Sequence, residues 1–199
     1  MELSYNQLSY LLRRYPKFEP SYETMSQKGD LNNYNICMAI PNGKKVFVWN
    51  TYYNSIDISY LFEINREKKI SKGTIIKKYP IHPMSHGTII YGTLITEDNY
   101  KKRFLVIDDI YYYQGIFIKN VPYQSKLAYI KEYIITMNEI EHDILFTLPY
   151  MWKHENKDNE LPFVIDPKIV DLIGYEAHHL QYRSLDNIVP YINVSFNRI

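Results

Sequence analysis

The sequence predicts an α+β domain in which helices flank a largely antiparallel sheet. Two observations carry that reading. Apolar runs of strand length, separated by polar turn clusters, recur through the middle of the chain. Before, within and after them lie segments whose leucines and isoleucines recur at helical spacing.

Taken in order, Ser4 to Arg14 places Leu8, Leu11 and Leu12 on one helical face behind a Ser4 cap, and Pro16 and Pro20 end it. The runs 35–40 and 46–49 flank Pro41-Asn42-Gly43-Lys44-Lys45 and read as a hairpin. Ser55 to Phe62 reads as a strand and Asn65 to Gly73 as a charged loop. Thr88 to Thr96 and Arg103 to Tyr112 read as strands joined by a polar turn at 97–102, and Gln114-Gly115 turns the chain into Ile116-Phe117-Ile118. Leu127, Ile130, Ile134 and Ile135 give Ser125 to Asn138 a helical face. A strand at 143–147, an exposed loop at 153–160, a helix at 168–174 and strands at 178–183 and 189–194 complete the chain. Residues 1–30 read as a helix plus an extended segment, and 31–199 as one domain.

Composition narrows the partners. With 23 basic and 22 acidic residues the net charge is +1, so no global field attracts nucleic acid, and any phosphate site must be local. The lone Cys37 has no internal disulfide partner, which fits a reducing compartment. No run approaches the roughly 20 apolar residues of a membrane span, and the first residues lack a secretory pattern. A cytoplasmic protein is expected, with nuclear or virion-associated placement as alternatives. The six histidines form no HExxH pair, and His178-His179 would diverge on a strand, so no metal and no cofactor are expected. Walker, GxGxxG and G-x-S-x-G motifs are absent.

Three strings in series, GTIIYGTLI, FLVIDDIYYYQG and PYQSKLAYI between Gly87 and Ile130, resemble consecutive motifs of the covalent nucleotidyltransferases, the mRNA-capping guanylyltransferases and RNA ligases. That resemblance implies a KxDGxR lysine motif upstream, and Ile40-Pro41-Asn42-Gly43-Lys44-Lys45 stands in its place. Ile40 occupies the lysine position and has no lone pair with which to attack phosphorus. Asn42 replaces the family aspartate, Thr93 a glutamate, and His178 a metal-holding acid. The pattern is similar to that of the snurportin-type cap-binding domains, whose PxGKR-like hairpin binds a methylated guanosine cap without chemistry.

The resemblance therefore implies an inactive nucleotidyltransferase-like domain that binds a nucleotide, the guanosine cap or 5′ end of RNA, rather than DNA. Lys44 and Lys45 would meet phosphates, although a solvated turn tip is the plainer reading. Trp49 or Trp152 would stack the base; Trp49 reads equally as a core-strand residue, and Trp152, beside the polar loop, is the better ring for a mobile lid, with ordinary packing as the plain alternative for both. Asp108 would accept hydrogen bonds from guanine, or else form a salt bridge; Asp108 and Asp109 should face opposite ways. Lys126 matches a basic helix-start position that is otherwise a surface lysine, and His178, Gln181 and Arg183 would hydrogen-bond the ligand. Two alternatives stand beside this: a structural subunit of a viral or RNA-processing assembly, and an enzyme whose nucleophile has moved to Lys44 or Lys45.

Overall fold

The computed structural model describes residues 1–18, 25–26, 31–53, 55–79, 83–96, 103–140, 142–154 and 167–195. Pro20, His82, the expected turn at 97–102 and most of the expected loop at 153–160 lie outside them. The architecture is mixed α+β, with mostly antiparallel sheets and few helices. The chain divides into two compact units, each drawn from three segments: Met1–Ser21, Gly43–Lys119 and Tyr129–Thr147 form the first, and Tyr22–Asn42, Asn120–Ala128 and Leu148–Ile199 the second.

The first unit is built on a seven-stranded sheet. Its strands are β2 (Lys44–Tyr53), β3 (Ile56–Ile64), β4 (Ile70–Tyr79), β5 (Thr88–Ile95), β6 (Arg103–Tyr113), β7 (Ile116–Phe117) and β8 (Ile144–Thr147). They lie in the order β4-β3-β2-β5-β6-β7, with β8 parallel to the start of β6. Strand β1 (Ile36–Pro41) belongs to the second unit.

One face of this sheet carries Phe47, Trp49, Tyr60, Phe62, Tyr91 and Tyr111, packed with Leu8 and Leu11 of helix α1 (Tyr5–Arg14). That helix starts as its sequence directs. Ser4 Oγ accepts from the Gln7 N–H (3.4 Å) and Gln7 Oε1 accepts from the Ser4 N–H (2.8 Å), a reciprocal cap. Helix α2 spans Tyr123–Glu139. From Tyr129 onward it belongs to the first unit, where Tyr133 Oη donates to Asn50 Oδ1 (2.9 Å), which lies one residue from Trp49 and so on the opposite face.

The second unit holds a four-stranded sheet in the order β11-β10-β1-β9, where β9 is Met151–Lys153, β10 is Ala177–Arg183 and β11 is Ile192–Val194. Cys37, Ala39, Leu180 and Tyr182 form one core with Ile173 of helix α3 (Pro167–Ile173). Met38 and Ile40 form another with Tyr123. Burial pushes the Cys37 thiol up to about 12, which leaves it inert. Among the described residues no helix is long and apolar enough to cross a membrane.

Three expectations are corrected. The runs before and after Asn42-Gly43 are not a hairpin: β1 pairs with β9 and β10, and β2 with β3 and β5. Both strands are apolar through their centres, so each needs partners on two sides, and a two-residue connection suits a change of sheet as well as a hairpin. The charged segment read as a loop turns into β4, which pairs along its length with β3 and on its other side meets only residues 1–3, where the Leu3 N–H donates to the Gly73 carbonyl and the Ile75 N–H to the Met1 carbonyl, both at 2.9 Å. The strand β9, three residues long, is too short to register as a pattern.

A pH dependence follows from the end of α2. His142 Nδ1 accepts from the Ile144 N–H (3.2 Å), and its Nε2 lies 2.8 Å from the Met137 carbonyl, so Nε2 carries the proton of a neutral ring. Partial burial holds this imidazole below its ordinary value, and desolvation does the same to His154. A depressed folded value means that the unfolded chain takes up protons first as pH falls. Their contribution is present above about pH 6.5 and is lost below it. The urea midpoint is expected to drop as pH falls below about 6.5, and His142→Gln to remove part of that slope. A full slope retained in the variant would assign the titration elsewhere.

Candidate functional site

The polar cluster of the first unit grows from strand register. Lys45 on β2 lies directly opposite Thr93 on β5, so both side chains leave the same face of the sheet. Thr93 in turn faces Val106 on β6, and Tyr91 faces Asp109. Between these pairs the register slips, because Gly92 pairs with Ile107 and Asp108 is the extra residue of a bulge. Asp108 lies two residues beyond Val106 and so leaves the same face as Thr93 and Lys45 by simple alternation. The slip breaks the alternation after it and brings Asp109, opposite Tyr91, to that face as well.

The contacts are short. Lys45 Nζ donates to Thr93 Oγ1 (2.8 Å) and to Asp108 Oδ2 (2.9 Å), and Thr93 Oγ1 lies 3.5 Å from the same oxygen. The ammonium also stands 5.6 Å from the centre of the Tyr91 ring. Asp108 is 1% exposed while the Lys45 side chain is 21% exposed. The arrangement is a buried carboxylate and a hydroxyl holding one ammonium at a set position, with part of the lysine in reach of solvent. Such a group donates hydrogen bonds to an anion or a carbonyl with little reorganisation. Of the two readings for Asp108, the salt bridge is observed. The expectation that Asp108 and Asp109 face opposite ways fails, since the bulge breaks strict alternation and Asp109 sits opposite Tyr91 on the Lys45 face.

Lys44 is exposed and paired with Glu63 at 2.9 Å. Trp49 is 3% exposed inside the aromatic core, and its Nε1 has no hydrogen-bond partner among the described residues. Its packing role is the observed one, and a ring without an open face does not stack a base.

In the second unit Asn42 is exposed, and its backbone N–H donates to the Glu176 carbonyl at 2.7 Å. Lys126 is buried rather than a surface lysine. Trp152 sits on β9 opposite Cys37 and packs on that unit's core, because the segment expected to be a lid begins as a strand.

Gln181 and Arg183 are buried and engaged with their own fold. Gln181 Nε2 donates to Asn193 Oδ1 (2.9 Å) and Arg183 Nε donates to Gln181 Oε1 (2.6 Å). The Arg183 guanidinium stacks between Tyr123 at 4.2 Å and Tyr191 at 4.4 Å. His178 is exposed and its Nδ1 lies 2.9 Å from Nδ1 of buried His179. These rings were expected to diverge. They meet because Ile40 pairs with His179 and Pro41 with Ala177, which leaves His178 as an extra residue in the register.

Sequence reasoning brought Lys45 and Asp108 forward separately and missed that they form one group. It also missed Tyr91, whose available signal was its position two residues before Thr93, on the same face of a strand. No protein-family model matches the chain, and a search of curated proteins returned no match.

Proposed function

We propose that the chain is a non-catalytic nucleotide-binding domain on a degenerate nucleotidyltransferase scaffold, with the guanosine cap or 5′ end of RNA as its ligand. The observation that supports this most is the preset Lys45 ammonium, held by Asp108 and Thr93 with part of its side chain exposed. It supplies a hydrogen-bond donor for phosphate without supplying a nucleophile. Ile40, at the position of the family lysine, is fully buried among Met38 and Tyr123 and has no reactive atom. An amine attacks phosphorus through its lone pair, and an ion pair with a buried carboxylate favours the protonated nitrogen, which argues against Lys45 as a displaced nucleophile. The reading adds no metal and no cofactor.

A second reading, a structural subunit that binds protein partners and no nucleotide, has its own support. Both turn lysines already have carboxylate partners, Glu63 and Asp108, at 2.9 Å. Titration calorimetry with methylated cap analogue, GTP and a short uncapped RNA separates the two. On the nucleotide reading Lys45→Met weakens binding of the phosphorylated ligands about tenfold, and Asp108→Asn, which releases the ammonium from its set position, weakens it by less. Absence of binding to all three ligands would leave the structural subunit.

A further inference from the structure

A second surface of the first unit, remote in register from Lys45, carries rings and cations side by side. Tyr10 and Arg14 are four residues apart on α1 and so neighbours on its outer face. Across from them is the end of the β2–β3 hairpin, where Tyr53 pairs with Ile56. The Tyr10 and Tyr53 rings are 6.3 Å apart and meet edge to face, and the Arg14 guanidinium stands 5.4 Å from the Tyr53 ring centre. Arg14 Nη2 donates to the Tyr52 carbonyl at 3.0 Å, which anchors the cation.

These groups face solvent: Tyr10 is 50% and Tyr53 37% exposed. Arg13, Arg14 and Lys17 are exposed as well, and the ion pairs among the described residues all involve other side chains. On a chain of net charge +1, this is a local concentration of positive charge.

We infer that this surface docks single-stranded RNA, through contacts independent of the proposed Lys45 site. A single strand presents a base and a phosphate in alternation. Two rings 6.3 Å apart, one of them 5.4 Å from a guanidinium, offer a partner to each. An acidic protein segment would use the cations and leave the rings idle. Exposed tyrosine hydroxyls provide donors and acceptors for the 2′-hydroxyl that distinguishes RNA from DNA.

The test is fluorescence anisotropy of the full chain with a labelled 12-nucleotide oligouridine bearing a 5′-hydroxyl, titrated at several salt concentrations. Tyr10→Ala and Tyr53→Ala are each expected to weaken binding about tenfold. Arg13→Glu with Arg14→Glu should weaken it further, and should lower the slope of log affinity against log salt by about 0.7 for each cation that contacts a phosphate. Lys131→Glu, an exposed charge change on α2, controls for overall charge and should leave the slope nearly unchanged.

Oligothymidine is expected to bind more weakly than oligouridine, and a polyglutamate peptide not to displace the RNA at equal charge. Affinity unchanged by the tyrosine variants, equal affinity for the DNA strand, or displacement by polyglutamate would each overturn the inference. Because the probe has no cap and no 5′-phosphate, these outcomes are separate from those of the cap titration.

Discussion

Replacing Lys45 by methionine is expected to destabilise the protein by about 3 kcal/mol, the typical cost of leaving a buried charge without its partner. The expectation rests on the asymmetry of the pair. Asp108 is 1% exposed and cannot recover its hydration when the ammonium leaves, whereas Lys45 keeps 21% of its side chain in solvent. Thr93 remains as a neighbour at 3.5 Å, but a hydroxyl offers one proton and no charge.

A double-mutant cycle isolates the pair. Asp108→Asn removes the charge at nearly constant volume, so Lys45→Met combined with Asp108→Asn should cost less than the sum of the single changes, by about 1–3 kcal/mol. Urea denaturation of the four proteins measures it. Additive costs would mean that the two groups act independently, and would remove the physical basis for a preset ammonium.

Gly92→Ala is expected to cost about 3 kcal/mol, at the upper end for forcing a methyl group into a packed interior. A Cβ on Gly92 would stand 2.3 Å from the Val106 carbonyl oxygen and 3.1 Å from the Ile107 Cα, both backbone atoms of the neighbouring strand. Backbone in the middle of a seven-stranded sheet yields only if the β5–β6 pairing moves.

Gly73 is the informative comparison, because a Cβ there meets Leu3 Cδ1 at 2.8 Å and Leu8 Cδ1 at 2.9 Å, the far ends of flexible side chains. Gly73→Ala should therefore cost clearly less in the same denaturation experiment. Equal costs would show that the sheet accommodates the methyl group and that close approach is not what keeps residue 92 bare. Since Gly92 pairs with Ile107, the neighbour of Asp108, a shift of the strand at this point should also weaken the Lys45–Asp108 coupling.

The same glycine shows how much of the site was legible. In the sequence Gly92 belongs to the string GTIIYGTLI, one of three that carry the resemblance, and nothing local reveals why it must be glycine. The neighbouring strand supplies the reason, with its carbonyl where a side chain would begin. Asp108 behaves alike. Strict alternation assigned it and Asp109 to opposite faces, while the register slip beside Gly92 brought both to one face. His178 and His179 repeat the pattern in the other unit, where the slip at Pro41 brings their rings together. Bulges leave no mark in periodicity because they depend on the partner strand, which is a separate stretch of chain.

What the sequence by itself determined was local: the capped helix at Ser4, the helix behind Pro122, the strands that became β5 and β6, and the absence of a lysine at position 40. Turn chemistry, capping and the periods of 2 and 3.6 act over a few residues, so they can be read without the rest of the chain. The tertiary structure alone decided that β1 and β2 enter different sheets, that charged β4 is a strand, that Trp49 is core, and that Lys45, Thr93 and Asp108 form one group. Each of these depends on which distant apolar face or backbone edge a segment meets, and that choice is made by the whole fold.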